Sequence, residues 1–147
     1  MRSLLVAAAV LTVTGCANVP MGDPARSAEI KKFEPKSELA QIYVCRNSRT
    51  MGMGIRPDVE LDGKQVAIIP RSTYLYQEVK PGTHTLVVKT LEHDSKMPFT
   101  IAAGEQKFFQ TWISLGVLSG WGIIDEIDPK AGKECVTAGE LLETAQR

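Results

Sequence analysis

The sequence predicts a mainly β domain, an antiparallel sandwich or small barrel with a short C-terminal helix. Three observations carry this. About seven or eight short runs of β-forming residues, separated by turns, recur between residues 39 and 127. Turn signals fall between them at Asp62-Gly63, Pro81-Gly82 and Ala103-Gly104-Glu105. After the last run, Asp128-Pro129 reads as a capping carboxylate followed by proline at the first helical position.

Leu39 to Arg46 is the first strand, apolar and bounded by polar residues. Asn47 to Pro57 is a loop. Its Met51-Gly52-Met53-Gly54 lacks the third glycine, the lysine and the following helix of a phosphate loop. Val59 to Ile69 is a hairpin in which Asp62-Gly63 supplies the positive φ angles of a two-residue turn. Ser72 to Val79 is the next strand, with Tyr74, Leu75 and Tyr76 at its centre. Pro81-Gly82 turns the chain, and His84 to Leu91 returns it.

Glu92 to Lys96 reads as a polar turn and Pro98 to Ala102 as a short strand. Gln106 to Leu115 is long, with Phe109, Thr111, Ile113 and Leu115 on one face and Phe108, Gln110, Trp112 and Ser114 on the other. Gly116 to Gly122 is apolar and glycine-rich and contains Trp121; Ile123 to Ile127 is a last strand. Thr137-Ala138-Gly139-Glu140 has capping-box spacing. Ala138, Leu141, Leu142 and Ala145 then share a helical face, so the chain is expected to end in one or two short amphipathic helices.

The N-terminal stretch concerns location. Met1-Arg2-Ser3 is followed by an apolar run from Leu4 to Val13, the layout of a secretory signal and too short for a permanent span. Val13-Thr14-Gly15-Cys16 closely resembles the lipobox of bacterial lipoproteins. The resemblance implies a diacylglyceryl group on the Cys16 sulfur, cleavage before Cys16 and acylation of the new amino terminus. The other reading is an ordinary signal peptide in which Cys16 is incidental. The lipobox divides the chain into a signal peptide, residues 1–15, a lipidated N-terminus and flexible tether, residues 16–38, with a short helix within Ala25 to Lys32 as the alternative there, and a folded domain, residues 39–147. Ala17 stands where an aspartate would retain such a protein in the inner membrane, which resembles the outer-membrane pattern. The expected location is therefore the cell envelope, anchored in the outer membrane and facing the periplasm.

The chain has 147 residues, with 17 basic against 17 acidic side chains, and this balance gives no basis for a nucleic-acid partner. Of three cysteines, Cys16 is taken by lipid, leaving Cys45 and Cys135. In an oxidising envelope they form a candidate disulfide; the alternative is two buried thiols. There is no C-x-x-C, so neither a metal cluster nor a redox motif is indicated.

Several motifs follow one another in a familiar order: Ile42-Tyr43-Val44, Leu61-Asp62-Gly63-Lys64, Ser72-Thr73-Tyr74, Pro81-Gly82-Thr83-His84-Thr85-Leu86, and Ala103-Gly104-Glu105 before an aromatic strand. This is similar to an uncharacterised family of small bacterial lipoproteins, domain of unknown function 2846. The proline-glycine-x-histidine hairpin also resembles the PEGA repeats of bacterial surface proteins. The resemblance spans residues 39–128. It implies a β-sandwich of the transthyretin or immunoglobulin-like kind and an envelope location, and it supplies no activity. Cys45 stands where the family more often has an aromatic, which would make a disulfide local to this chain.

An enzyme needs a convergent set of acid, base, nucleophile or metal ligands. His84 sits beside a tight turn with no second ligand in view, and His93 lies between Glu92 and Asp94 in a polar turn. Asp125, Glu126 and Asp128 read as strand-end and cap charge. The expectation is therefore no catalytic residue, no metal and no cofactor. Two candidate binding surfaces remain. Tyr74, Tyr76, Phe108 and Trp112 form an aromatic sheet face if they point outward, and core if both faces are covered. The apolar stretch Leu115 to Ile124, with Trp121, touches lipid or a partner if it stays outside. The expected function is a lipid-anchored, non-catalytic binding or structural module. It would contact the membrane through its lipid, and an envelope protein or a peptidoglycan or polysaccharide polymer through its surface. The alternatives are a carrier of a small apolar ligand and an envelope hydrolase.

Overall fold

Strands are assigned to two facing sheets in alternating groups, and this alternation builds the domain. A computed structural model describes residues 18–144. Helix α1 spans Pro24–Ile30, followed by strands β1 (Ala40–Arg46), β2 (Asp58–Leu61), β3 (Lys64–Ile68), β4 (Thr73–Val79), β5 (Gly82–Lys89), β6 (Asp94–Ile101), β7 (Gln106–Ser114) and β8 (Trp121–Ile127). Helix α2 (Pro129–Ala138) and the short strand β9 (Glu140–Leu141) close the chain. One sheet has the order β8-β7-β1-β4-β9 and the other β3-β2-β5-β6. The fold is mainly β in two open sheets, not a barrel.

The first sheet departs from the expected antiparallel arrangement. β1 lies between β4 and β7; it is antiparallel to β4 and parallel to β7, and β9 is also parallel to β4. The cause is connectivity: β2 and β3, then β5 and β6, cross to the other sheet, so β7 returns beside β1 through a long excursion instead of a hairpin. The second sheet is wholly antiparallel.

β1 is buried at every position, which is why its sequence reads as a run instead of an alternation. Ala40, Ile42 and Val44 join Leu75, Phe109, Val59, Leu86, Val88 and Ile101 in a core between the sheets. Tyr43 and Cys45, on the opposite side of β1, join Tyr74, Tyr76, Phe108, Val136 and Leu141 in a second core under α2. The hairpin turn is as the sequence indicates, with Asp62 at φ 52° and Gly63 at φ 79°. β6 starts earlier than its residues suggest: Asp94 to Lys96 pair with β5, and the turn contracts to Thr90–His93. β6 is an edge strand with one face in solvent, so its polar residues alternate outward and obscure the strand.

Of the one or two C-terminal helices expected, α2 alone forms among the described residues. α2 ends before Gly139, and Leu141 and Leu142 then point to opposite cores, Leu141 outward under α2 and Leu142 between the sheets. Two neighbouring leucines that serve two cores require period two, and β4 offers the free edge: the Glu140 amide donates to the Ser72 carbonyl and the Leu142 amide to that of Tyr74. Residues 18–38, expected as a flexible tether or in part a short helix, hold that helix as α1 and are docked on the domain. Met21 bridges Leu142, the Gly22 amide donates to the Leu141 carbonyl, and Asp23 caps α1 through the amides of Ala25 and Arg26. Lys31 donates to the carbonyls of Thr137 and Gly139, and Gln106 to that of Phe33. Ile30 and Phe33 supply the apolar reason by packing on the second core. The signal peptide and Cys16 lie outside the described residues.

Candidate functional site

The strongest candidate site lies at one end of the sandwich, where the loop of residues 47–57, the β5–β6 turn and the β7–β8 loop converge. These loops are held by identifiable contacts. Arg46 ends the inward face of β1 and is 3 % exposed. Its guanidinium donates to the carbonyls of Gly52 at 2.7 Å, Ile55 at 2.6 Å and Ile69 at 3.0 Å. A buried cation thus draws the 47–57 loop onto the end of the core. Burial, and then the nearby Arg71 charge, pull the Arg46 pKa down. Gly52 and Gly120 both have positive φ and both close on Ile113. A Cβ on Gly52 would fall 2.4 Å from the Ile113 Cβ, and one on Gly120 2.6 Å from its Cγ2.

Glu92 fixes the β7–β8 loop. Its carboxylate accepts hydrogen bonds from the amides of Val117 at 3.1 Å, Ser119 at 2.9 Å and Leu118. Desolvation acts to raise the Glu92 pKa, but the three amides and the Trp121 side chain outweigh it, and the pKa is lowered. The effect is to present apolar side chains outward on an ordered loop. Leu91 is 95 % exposed, Val117 93 %, Leu118 88 % and Leu115 77 %. Trp121 is half-exposed with its ring 5.3 Å from that of His93, and Met51 and Met53 are half-exposed on the neighbouring loop. Beside them lies a hollow of about 220 Å³ lined by Arg46, Asn47, Arg49, Met51, Trp112, Ile113 and Ser114.

The aromatic surface is divided by the structure. Tyr74, Tyr76 and Phe108 are buried, so the outward aromatic face is corrected to core. α1, α2 and Phe33 cover it, and the Tyr43 and Phe108 rings stack at 4.7 Å. The Tyr74 hydroxyl meets Ser27 Oγ at 2.8 Å, and the Tyr76 hydroxyl accepts from Gln41 and donates to Glu78. Trp112 is half-buried in the hollow's wall, and only Trp121 of the five residues stands exposed. Cys45 and Cys135 form a disulfide that pins α2 to β1.

The titratable candidates fall apart spatially. His84 Nδ1 lies 2.7 Å from Asp62 Oδ2, and Nε2 lies 2.8 Å from the Lys80 carbonyl oxygen. Both partners only accept, so both ring nitrogens donate when the ring is protonated. Partial burial is the largest single influence and opposes the charged ring; the two hydrogen bonds and the Asp62 charge outweigh it, and the His84 pKa is raised. His93 is at the loop end instead. Glu126 pairs with Lys107 at 2.6 Å, and Asp128 caps α2. Among the described residues, no group of three or more His, Cys, Asp or Glu is placed to hold a metal. Arg46, Glu92 and Leu91 carry the site and were not singled out from the sequence; the glycine-rich apolar loop beside Trp121 was the only signal.

A family model described as a protein of unknown function (DUF2846) matches residues 36–121, more than half of the chain. The match covers β1 to the start of β8, including every loop of this end, and stops before α2. No curated protein and no solved structure matches the chain.

Proposed function

We propose, for a chain that belongs to this family of unknown function, a lipid-anchored module of the bacterial cell envelope that binds a partner without catalysis. The observation that carries the reading is the loop end: four aliphatic side chains at least three-quarters exposed on the two loops that Glu92 joins, beside the loop that Arg46 holds. Monomeric surfaces seldom hold such side chains together in solvent, and a contiguous apolar patch rimmed by polar groups marks an interaction site. The sequence Val13-Thr14-Gly15-Cys16 supports the anchor, and Ala17 supports the outer membrane facing the periplasm. The two cysteines of the disulfide suit an oxidising compartment.

The test has two arms in intact cells. Labelled palmitate should enter the wild-type chain and not Cys16→Ser. A soluble chain with no incorporation would remove the anchor from the reading. Short-range chemical cross-linking of the anchored protein should trap a discrete envelope component. If no face of the protein traps one above the level of the Cys16→Ser form, the binding reading fails.

A further inference from the structure

We infer that the loop end docks an acidic, aliphatic segment of another envelope protein and presents this surface away from the membrane that holds the chain. This rests on the binding reading above and narrows its partner from protein or polymer to one kind of protein surface.

The aliphatic character of the loops selects against a glycan. Sugar rings are held by aromatic faces and dense hydrogen bonding; here the half-exposed Trp121 has the His93 ring beside it, whereas the more exposed Leu91, Leu115, Val117 and Leu118 offer branched hydrocarbon to an apolar groove. The charge at this end selects the groove's rim. Arg49 and Arg71 are exposed there. Among the described residues no carboxylate bonds the guanidinium of Arg49 or Arg71. The nearest acid on the loops, Glu92, has its carboxylate occupied by three backbone amides. Asp58 and Asp94 begin β2 and β6 at this end, where the Lys89 charge faces them, and Glu140 stands beside Thr73 on β9. An acidic rim would complement the arginines and leave Glu92 undisturbed.

Chain direction excludes the anchoring bilayer as the occupant. β9 runs parallel to β4, from Glu140 beside Thr73 at the loop end. The N-terminal segment runs antiparallel to it: Gly22 bonds Leu141, Met21 faces Leu142 and Pro20 accepts from Glu143. Traced backward from Gly22, the chain therefore leaves toward the opposite end of the sandwich. Only Ala17 separates Asn18 from Cys16. Two residues reach at most about 7 Å, whereas the nine-residue β7 extends about 30 Å. A lipid on Cys16 thus holds the end remote from Leu118, with the apolar loops facing outward.

A diazirine amino acid placed at Val117 of the full chain, in cells, tests this. Activation should give an adduct that maps to a protein segment combining Asp or Glu with Leu, Ile or Val. Arg49→Glu with Arg71→Glu should reduce the adduct about tenfold or more, while the melting temperature, set by the buried cores, stays unchanged. A phospholipid adduct, a glycan adduct, a basic or uncharged protein segment, an adduct indifferent to the arginine changes, or no adduct would each overturn the inference. The same group at Lys64, beside the Asp62-Gly63 turn at the far end, separates the two readings. An adduct there with none at Val117 removes this surface and keeps a binding module, whereas none at either position counts against both.

Discussion

His84 shows how a residue suggestive of catalysis is spent on structure. Its ring joins the Asp62-Gly63 turn to the Lys80 carbonyl at the next turn, tying two loops at the far end of the sandwich. The native pKa is raised above the ordinary 6.5. The stabilisation it gives is therefore complete below the unfolded-state value and is lost as pH rises through the higher native one. Asp62 has the opposite sign. Desolvation acts to raise its pKa, but hydrogen bonds from His84 and the Thr85 amide lower it below 3.8. Its contribution is present above the unfolded value and is lost as pH falls through the lowered one. We expect urea midpoints to decline through a window that opens near pH 6.5, and His84→Asn to flatten that decline. Identical profiles for the two proteins would show that the ring is not a stabilising imidazolium.

At the scale of elements, α2 shows tertiary contact reversing a local preference. Glycine within a helix ordinarily costs about 1 kcal/mol relative to alanine. Gly132, in α2, lies against Phe108, and a Cβ there would fall 2.3 Å from the ring's Cγ and from its Cβ. Gly132→Ala should therefore destabilise, by about 1–3 kcal/mol, and should raise hydrogen exchange in α2 more than in β1. A gain in stability would mean that the helix moves off the sheet freely. The same crowding explains why the outer aromatics were ambiguous. Period two correctly separates Phe108 from Phe109, but nothing local to β7 states that a helix from later in the chain will cover Phe108. β9 is a sharper case, because the spacing of Leu141 and Leu142 fits either a helical stripe or two strand faces, and only the open edge of β4 decides.

Across the whole molecule, the disulfide joins the first strand to the last helix over a separation of 90 residues. Closing a loop of that length restricts the unfolded chain by about 4.6 kcal/mol in the entropic account. Cys45→Ser with Cys135→Ser should lower the unfolding free energy by that order, measured in denaturant against the oxidised protein, and a change under about 1 kcal/mol would show that the packing of Val136 and Phe33 holds α2 unaided. The N-terminal segment belongs to this scale too. Its polar, proline-broken composition resembles a linker, yet Asp23 caps a short helix, and Ile30 and Phe33 anchor it over the outer core. Two apolar residues in a charged stretch are a weak local signal; they gain meaning from the hydrophobic surface that β1, β4 and β7 present together.

The sequence by itself determined the mainly β class, most strand positions and the turns, because turn chemistry and side-chain alternation are local properties written in neighbouring residues. It also determined the secretory and lipobox pattern, on which the proposed location rests. Tertiary structure alone decided that β1 and β7 run parallel, that the tyrosines are core, that residues 18–38 are docked, and that Arg46 and Glu92 hold one apolar end open to solvent. Each of these depends on which distant segment covers a face or accepts a hydrogen bond, and residues 46, 52 and 69, or 92 and 118, become partners only when two sheets have been stacked.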